Sequence, residues 1–539
     1  MSVQQPVCYA TASSVQCYIA LLFSDLFFII TRMYSLLQLI QPALAFSVII
    51  SLFAALLWRR IVLHRKTRGP PISWPLVGML PSVFLHINDI YDWATQVLTD
   101  CGGNLEFKPP CLANMFSFVT TDPESIEYIV KTKFRSFPKG TYYKSIQDDL
   151  LGDGILNIDG ELWAWERKTL SSYLHSPAHK NHMIATIDKS IHCKLLVDLE
   201  EASKTGSAVD LQEILIRLGL DNMCTVGLGV DLSSLTPAGR DAEIAKAFEE
   251  AVDATIMRFI IPRSIWKMMR FLGIGTEGKL KASLQTIDEF AGEMMRLRRK
   301  ELLESDENVE RCDLLSNVMM LREDGGRFLS DKMIRDMCIN FVLAGRDNTG
   351  IAVCWFFCLL SQHPTVEENI LSELRRIGSN PTGFTVEEVK KMHYLHAALS
   401  ETLRLYPSVP INYKEVIQDE VLPNGVCLKK GSNLIFPIYS MGRMESIWGE
   451  DCREFKPERW LREGKFIPEG AYKYPVFNAG PRSCLAKDFA ILLMKWVAAS
   501  LVYRYRVKMV NDVMGEPKLG IGLYMKNGLL VTLHPRSGI

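Results

Sequence analysis

Residues 477–486 are Phe477-Asn478-Ala479-Gly480-Pro481-Arg482-Ser483-Cys484-Leu485-Ala486, and an apolar segment from Phe489 onward follows them. A loop with Gly480 and Pro481 therefore precedes a predicted helix and places Cys484 at its start. Backbone N–H groups and the helix dipole stabilise a thiolate at such a position. No Cys-x-x-Cys or Cys–His pair lies nearby in the sequence, which disfavours a zinc site or a dithiol redox site. The pattern predicts an activated Cys484 that acts as a nucleophile or as a metal ligand.

A long helix is predicted upstream, from an N-cap at Ser330 to the residue before His363-Pro364. Roughly 30 residues at about 1.5 Å each give a length of about 50 Å. Its middle, Phe341-Val342-Leu343-Ala344-Gly345-Arg346-Asp347-Asn348-Thr349-Gly350, contains glycines and small polar residues that weaken a helix. Two interpretations stay open: a kinked structural helix, or a locally opened turn that directs polar groups at a ligand.

A pair of opposite charges lies between these two segments. Glu401 and Arg404 are three residues apart in an apolar context, so they share a helix face that is predicted to be buried. An isolated pair of this kind is usually a weak surface pair. Arg459, in Phe455-Lys456-Pro457-Glu458-Arg459, offers a second arginine for the same carboxylate.

Five sequence motifs resemble those of the cytochromes P450, and they follow one another along the chain in the order that the family has. The loop Phe477-x-x-Gly480-x-Arg482-x-Cys484 resembles the haem-binding loop of the family, and residues 341–350 resemble its oxygen-binding helix. The other three motifs are Glu401-x-x-Arg404, Phe455-x-Pro457-Glu458-Arg459 and Trp163-Ala164-Trp165-Glu166-Arg167. The resemblance implies a mainly α-helical cytochrome P450 fold with small β-sheets, in which one large haem domain follows an N-terminal membrane anchor.

The resemblance implies a role for each residue of these motifs. Cys484 is expected to be the axial thiolate ligand of the iron of haem b. Five residues are expected to bind the haem: Arg482, Trp163, Arg167, Phe477 and Gly480. The first three are the candidates for its propionates. Residues expected to form a buried ion network that supports folding and haem retention are Glu401, Arg404 and Arg459. Arginine suits a propionate because its planar fork of donors matches a carboxylate.

By the same resemblance, Asp347, Asn348 and Thr349 lie where the family delivers protons to O2. The family usually has threonine directly after the acid, whereas this chain has Asn348 there. An amide is a poorer proton relay than a hydroxyl, so Asn348 bears on how efficiently electron consumption is coupled to product formation. It also leaves open a reaction other than hydroxylation on the same fold. The resemblance places four residues in the substrate pocket: Phe341, Ala344, Val409 and Tyr524.

Several stretches are most similar to the plant P450 clan of fatty-acid and alkane hydroxylases: Phe137-Pro138-Lys139-Gly140 and residues 151–157, 344–347 and 477–482. This similarity implies a monooxygenase that inserts one oxygen atom of O2 into a C–H bond, with terminal hydroxylation of long-chain fatty acids as the expected reaction. Electrons are expected from NADPH through a separate NADPH–cytochrome P450 reductase. Two alternatives stay open: a P450-fold isomerase or dehydratase of lipid hydroperoxides that needs no O2 or reductase, and a non-catalytic haem-binding membrane protein.

The N-terminal region predicts a membrane anchor. Residues 36–58 are almost uncharged and long enough to cross a bilayer, which needs roughly 20 apolar residues. Residues 59–81 are basic and then proline-rich, which indicates a hinge and places the haem domain, residues 82–539, in the cytosol at the endoplasmic reticulum membrane. Residues 1–35 contain a second, shorter apolar stretch of undetermined role. A cleaved signal peptide is the alternative, but its basic residues would come first.

Composition excludes other classes of protein. The 539 residues carry 61 basic and 61 acidic side chains, and this balance argues against a nucleic-acid-binding protein. Thirteen cysteines in a chain of this length do not indicate a small disulfide scaffold.

Two further segments have competing interpretations. Residues 273–280 match Gly-x-Gly-x-x-Gly, yet no predicted strand precedes them and Leu280 replaces the Ser or Thr of a phosphate loop. A nucleotide site is therefore disfavoured there. Residues 259–270 mix aromatic, methionine and basic side chains, which fits either core packing or a membrane contact at a substrate entrance.

Overall fold

Helices make up most of the described part of the protein, as the sequence predicts. The computed structural model describes residues 32, 69–74, 77–109, 117–232, 239–304, 312–322, 328–378, 383–511 and 513–536. The chain divides into two units, residues 1–72 and 73–539. The predicted anchor at residues 36–58 lies outside the described residues, as does nearly all of the segment 1–35. Within the described ranges, no helix combines the length and the apolar character that a membrane span requires.

The N-terminal half of the larger unit is helical apart from three short strands. Its helices are α1 (Leu80–Leu85), α2 (Ile90–Asp100), α3 (Pro123–Glu127), α4 (Gly140–Leu151), α5 (Gly160–His175), α6 (Pro177–Ser190), α7 (Leu196–Thr205), α8 (Leu211–Leu228), α9 (Arg240–Ile260), α10 (Arg263–Leu272), α11 (Gly275–Glu304) and α12 (Leu314–Met320). The π-helical segments Tyr128–Thr132 and Ile191–Leu195 continue α3 and α6.

The C-terminal half begins with the long helical segment that the sequence predicts. Its helices are α13 (Asp331–Arg346), α14 (Asn348–Gln362), α15 (Pro364–Ile377), α16 (Val386–Lys390), α17 (His393–Leu405), α18 (Ile438–Met441), α19 (Glu445–Trp448) and α20 (Lys487–Arg504). Short 3-10 turns at Pro457–Trp460, Pro475–Phe477 and Gly480–Arg482 lie between α19 and α20.

Side-chain caps explain where several helices begin and end. The Asp210 carboxylate accepts a 2.9 Å hydrogen bond from the Gln212 N–H at the start of α8, and this helix ends at Gly229, which has a φ of 69°. A capping box joins Thr385 and Glu388 at the start of α16. Such caps satisfy backbone groups that have no partner inside the helix.

The long predicted helix is interrupted once, at Asp347, which lies between α13 and α14. The Ser330 hydroxyl caps α13 by accepting a hydrogen bond from the Met333 N–H. The interruption falls inside the segment where glycines and small polar side chains weaken the helix. The interruption thus lies where the sequence predicts a kinked or locally opened helix, and we call it the open turn.

Small sheets complete the described fold. One has the order β1 (Asn104–Phe107), β2 (Ser117–Thr120), β7 (Asn433–Phe436) and β4 (Asn412–Glu415), and a second has the order β10 (Tyr505–Met509), β11 (Leu530–Pro535) and β3 (Val209–Asp210). Two hairpins pair β5 (Glu420–Val421) with β6 (Cys427–Leu428) and β8 (Leu461–Arg462) with β9 (Lys465–Phe466). Only β2 and β7 run parallel among these pairs.

The core is built around α14, whose residues from Gly350 to Leu360 are all buried. This helix packs against α8, α17 and α20. Each fully buried leucine-sized side chain contributes about 1.5 to 3 kcal/mol to stability. A second apolar cluster joins α9, α11, α12 and α13. The interruption at Asp347 therefore separates α14, which belongs to the first cluster, from α13, which belongs to the second.

Candidate active site

The loop before α20 holds Cys484 by backbone hydrogen bonds. The Cys484 N–H donates to the Phe477 carbonyl at 2.8 Å, and the Ser483 N–H donates to the Gly480 carbonyl at 3.0 Å. Gly480 has a φ of +64°, and a Cβ there would lie 2.1 Å from the Val130 carbonyl oxygen. Only glycine fits, because other L-residues disfavour this φ and the Val130 backbone cannot move away easily. Hydrogen bonds within the loop and the close approach of Gly480 to Val130 thus fix the position of the cysteine.

The surroundings of Cys484 favour a thiolate only in part. Burial raises the pKa of the Cys484 thiol above its ordinary value. The backbone N–H of Ala486 and the cations Arg167 and Lys487 lower the same pKa. Its neighbour Leu485 packs into the cluster around α13. A bound metal cation would complete this arrangement, because a coordinating thiol is deprotonated outright.

Two arginines and a tryptophan lie beside the cysteine loop. Arg167 of α5 donates a 2.8 Å hydrogen bond to the Ser483 carbonyl. The Arg482 guanidinium lies 4.5 Å from the centre of the Trp163 ring, and Arg167 lies 5.8 Å from the same ring. The structure therefore brings together the three residues to which the sequence assigned the propionates.

A cluster of cations surrounds Arg482 with a single acid among them. The Asp159 carboxylate accepts a 2.6 Å hydrogen bond from Arg482 and a 2.9 Å bond from the Lys139 backbone N–H. Burial and the Arg482 charge lower the pKa of the Lys139 amine to about 8 and lower that of Lys414 well below its ordinary value. Lys139 Nζ lies 4.2 Å from the centre of the Tyr143 ring. One carboxylate does not balance the charges that Arg482, Lys139 and Lys414 carry when all three are protonated, and the lowered pKa values of the two lysines reflect burial together with this shortage of negative charge.

The residues present fit a haem. Arg482 Nε is buried and has no hydrogen-bond partner within the part of the chain that the structure describes. Such an N–H costs free energy unless an acceptor reaches it. The excess of buried positive charge beside it calls for anions, and haem carries two propionate carboxylates. Cys484 supplies a thiolate, which is a ligand that holds haem iron.

The open turn between α13 and α14 orders a second group of side chains. The Arg346 guanidinium forms a bidentate pair with the Asp347 carboxylate, with Nη2 at 2.8 Å from Oδ2. The Tyr524 hydroxyl lies close to both Arg346 and Asp347, and burial raises the pKa of this hydroxyl well above the usual range. Asp347 is 7% exposed. The predicted acid is thus nearly enclosed, paired with Arg346 and close to Tyr524.

Asn348 uses both its side chain and its backbone to hold the turn. Its amide nitrogen donates a 2.7 Å hydrogen bond to the Ala344 carbonyl, and its own carbonyl accepts a 2.7 Å bond from the Ser408 hydroxyl. This second bond brings the segment with Val409 to the turn. The Thr349 hydroxyl makes no hydrogen bond with any residue that the structure describes.

The four predicted pocket residues do not all lie in the same surroundings. Ala344 is exposed, and Tyr524 and the segment of Val409 contact the open turn. Phe341 packs against α8 instead, because a Cβ on Gly227 would lie 2.8 Å from its ring. Ala344, Val409 and Tyr524 are therefore the predicted pocket residues that the structure gathers around Asp347.

Glu401 lies at the centre of the buried ion network. It accepts hydrogen bonds from Arg404, from the Trp460 indole at 2.9 Å, from the Lys456 backbone N–H at 3.0 Å and from Arg459 at 3.3 Å. Arg459 also pairs with Asp451 at 3.0 Å. The 3-10 turn after α19 is thereby fastened to α17. The structure brings together all three residues that the sequence placed in this network.

Sequence reasoning missed Asp159, Lys139 and Lys414. Lys139 belongs to a stretch that carried the resemblance, yet nothing in the spacing indicated its partner. Asp159 precedes the Trp163-x-x-x-Arg167 motif by four residues, and this proximity was the one signal that pointed to it. Lys414 lies on β4, and only the sheet pairing places it near Arg482.

Comparisons with known proteins agree with this geometry. The family model described as Cytochrome P450 matches residues 70–531. The chain is 45% identical over 538 residues to Cytochrome P450 86B1 of Arabidopsis thaliana, with 96% of this chain and 95% of that protein covered. It is 35% identical over 497 residues to Alkane hydroxylase MAH1 of Arabidopsis thaliana, with 91% and 99% covered. It is also 34% identical over 481 residues to Cytochrome P450 94A1 of Vicia sativa, with 87% and 91% covered.

Proposed function

The chain belongs to the cytochrome P450 family, whose members are haem-dependent monooxygenases, and we propose that it hydroxylates the terminal carbon of long-chain fatty acids. The observation that carries the family chemistry is Cys484 in its glycine-fixed loop beside Arg482, Arg167 and Trp163. The similarity to a protein named as an alkane hydroxylase, over 91% of this chain, supports a saturated hydrocarbon chain as the group that is oxidised.

The residues around Cys484 would hold the cofactor. When bound, the haem supplies O2 activation and transfer of one oxygen atom to a C–H bond, with electrons from a redox partner. Cys484 would ligate the iron through its sulfur. Arg482, Arg167 and Trp163 would bind the propionates, and Lys139 and Lys414 would add positive charge at the same place, where Arg482 Nε has no acceptor among the residues that the structure describes.

The open turn would deliver protons on the other side of the site. Asp347 would carry the proton, with Arg346 and Tyr524 fixing the orientation of its carboxylate. Asn348 would keep the turn open through its bonds to Ala344 and Ser408, so we assign it a positioning role. Thr349 then supplies the nearest hydroxyl along the chain for a relay.

The electron donor would be NADPH–cytochrome P450 reductase, and the location would be the endoplasmic reticulum membrane with the haem domain, residues 82–539, in the cytosol. Residues 36–58 would span the bilayer, and residues 59–81 would form the hinge. The amphipathic helix α10 supports a membrane contact. Its apolar side chains Met268 and Phe271 are 56% and 89% exposed, at a spacing that places them on one face.

The experiment that tests this function uses the full-length protein with the reductase. Long-chain fatty acids are incubated with and without NADPH, and the products are analysed for the position of the hydroxyl group. NADPH-dependent hydroxylation at the terminal carbon is expected. Conversion of a fatty-acid hydroperoxide without NADPH or reductase, and no hydroxylation with them, would instead assign the chain to the isomerase or dehydratase class.

A further inference from the structure

Ser408, in the segment that follows α17, forms hydrogen bonds with two separate parts of the candidate active site. Its hydroxyl donates a 2.7 Å bond to the Asn348 carbonyl at the open turn. Its own carbonyl accepts a 2.9 Å bond from the Leu523 N–H. The residue is buried, with 8% of its surface exposed. Because Leu523 directly precedes Tyr524, one residue connects the turn that carries Asp347 to the segment that carries Tyr524.

The segment with Tyr524 is a short hairpin, residues 517–525, which an antiparallel bridge between Pro517 and Met525 closes. We call it the Tyr524 hairpin. The side chain of Gln212, at the start of α8, binds both backbone groups of Met525. Its amide nitrogen donates to the Met525 carbonyl at 3.1 Å, and its amide oxygen accepts from the Met525 N–H at 2.8 Å. A shift of the hairpin along its own direction would break both bonds.

Helix α14 supplies a further support of the Tyr524 hairpin. The Trp355 indole N–H donates a 2.6 Å hydrogen bond to the Leu523 carbonyl. This indole is fully buried and stacks on the Tyr406 ring, with the ring centres 3.9 Å apart. A Cβ on Gly522 would lie 2.7 Å from Ile351 Cδ1, so the hairpin backbone lies directly against the first turn of α14. The position of Leu523 is therefore fixed relative to this helix.

These bonds matter because the Tyr524 hydroxyl lies close to the predicted acid and to its arginine partner. The Tyr524 carbonyl is itself held, by a 2.8 Å bond from the Lys518 N–H. Arg346 and Asp347 are neighbours in the sequence, so this pair moves as one when the open turn moves. Tyr524 belongs to a different segment, and its distance to Asp347 depends on how the hairpin is attached to the turn. Ser408 makes such an attachment.

We propose that Ser408 is a positioning residue for proton delivery: its hydroxyl holds the open turn where the Tyr524 hydroxyl orients the Asp347 carboxylate. This inference rests on the proposed function and deepens it. Loss of the Ser408 hydroxyl would leave the hairpin bound to α8 and α14, whereas the turn would no longer be tied to the hairpin. The carboxylate would then take up its working orientation for a smaller fraction of the time, and fewer protons would reach the site per electron consumed.

The test compares Ser408→Ala with Ser408→Thr, which keeps a hydroxyl, in the full-length protein with reductase, NADPH and a long-chain fatty acid. Ser203→Ala is the matched control, because the Ser203 hydroxyl also donates to the carbonyl of a distant residue, Leu533 of β11, at 3.1 Å. Four quantities are measured: the hydroxylated product formed per NADPH consumed, the KM for the acid, the Tm, and the hydrogen–deuterium exchange of peptides that cover residues 344–352.

The expected result is that Ser408→Ala lowers the product per NADPH by about two- to tenfold, the factor that the loss of one hydrogen bond corresponds to. Its KM should stay unchanged, and exchange in residues 344–352 should become faster. Ser408→Thr should restore both the product yield and the slow exchange, and Ser203→Ala should alter neither. A lower Tm of Ser408→Ala with an unchanged yield per NADPH is the result of a merely structural role and overturns the inference.

A double variant tests the route through Tyr524. Tyr524→Phe removes only the hydroxyl and should also lower the product per NADPH. If Ser408 acts through this hydroxyl, Ser408→Ala combined with Tyr524→Phe should give the same yield as Tyr524→Phe alone. Losses that multiply in the double variant overturn the inference and leave the proposed function intact, because the wild type still hydroxylates the acid. A wild-type enzyme that hydroxylates no fatty acid overturns both.

Discussion

Arg404 donates one 2.8 Å hydrogen bond to each carboxylate oxygen of Glu401, and both side chains are fully buried. The same arginine also donates to the backbone carbonyls of Cys452 and Glu454. A buried pair of this kind stabilises a fold only when further hydrogen bonds satisfy both charges. Here they do, and the pair fastens α17 to the segment that precedes the cysteine loop.

The first prediction concerns this pair. Glu401→Gln leaves Arg404 buried without a counter-charge, and such losses cost about 3 to 5 kcal/mol. We expect a lower Tm and a lower haem-to-protein ratio in the purified protein. Glu387→Gln is the matched control, because Glu387 also pairs three residues along a helix, with Lys390 at 2.7 Å, but both side chains are exposed. Its effect should stay below about 1 kcal/mol. Equal effects of the two variants would refute a special role for Glu401.

The second prediction concerns Gly480. A Cβ at this position would lie 2.1 Å from the Val130 carbonyl oxygen, at a φ of +64°. For a residue other than glycine the φ alone costs about 1 to 2 kcal/mol, and the contact adds to this. Gly480→Ala should therefore lower haem content and Tm. Gly470→Ala is the control, since a Cβ there meets nothing within 4 Å. Normal haem content in Gly480→Ala would show that the loop does not depend on this glycine.

The third prediction concerns Glu166, a buried carboxyl on α5. Neither carboxylate oxygen makes a hydrogen bond of normal geometry among the described residues. Burial raises the pKa of Glu166 from 4.5 to about 8, with Asp336 and Asp153 adding to the rise and the Ile155 N–H opposing it. The folded protein therefore binds one more proton than the unfolded chain between pH 4.5 and 8. Stability is fully present below the lower value and falls as the pH rises toward 8, by up to about 5 kcal/mol.

Measurement of Tm from pH 5 to pH 8.5 checks this direction. Glu166→Gln should flatten the fall and raise Tm at the alkaline end, because the amide never ionises. Glu161→Gln removes an exposed carboxylate from the same helix and should leave the slope as it is. A wild-type slope of the opposite sign, or one that Glu166→Gln leaves unaltered, would contradict the assignment.

The fourth prediction concerns Asn348 at the open turn. Its amide nitrogen donates to the Ala344 carbonyl at 2.7 Å. A threonine hydroxyl can donate to the carbonyl four residues earlier as well, and it can also relay a proton. Asn348→Thr should therefore raise the product formed per NADPH consumed. Asn348→Ala adds no hydroxyl and should not raise it. A gain in both variants, or in neither, would exclude a relay role for this position.

Motif spacing was sufficient to predict the main features of the fold. The Cys484 loop, the helix weakened around Asp347 and the Glu401–Arg404 pair are local patterns, so their residue types identify them directly. Ser330 was correctly predicted as a helix cap for the same reason. The long helix is interrupted at Asp347, inside the segment 341–350 that the sequence predicts to be kinked or locally opened, because small polar side chains there compete for the backbone.

Long-range contacts could not be predicted in the same way. Lys139, Asp159 and Lys414 meet Arg482 only through the packing of distant segments. Phe341 shares the helix of the open turn, yet its ring faces Gly227 of α8. A helical pattern gives the faces of a helix but does not tell which neighbour covers each face.

The fifth prediction tests the central claim, that Cys484 is the thiolate ligand of the haem iron. The measurement is the CO-difference spectrum of the reduced full-length protein, in the wild type and in Cys484→Ala. Cys427→Ala is the control, because Cys427 is an exposed cysteine on β6. We predict that the wild type and Cys427→Ala show the thiolate-haem band and that Cys484→Ala loses it. Retention of that band in Cys484→Ala would contradict the account.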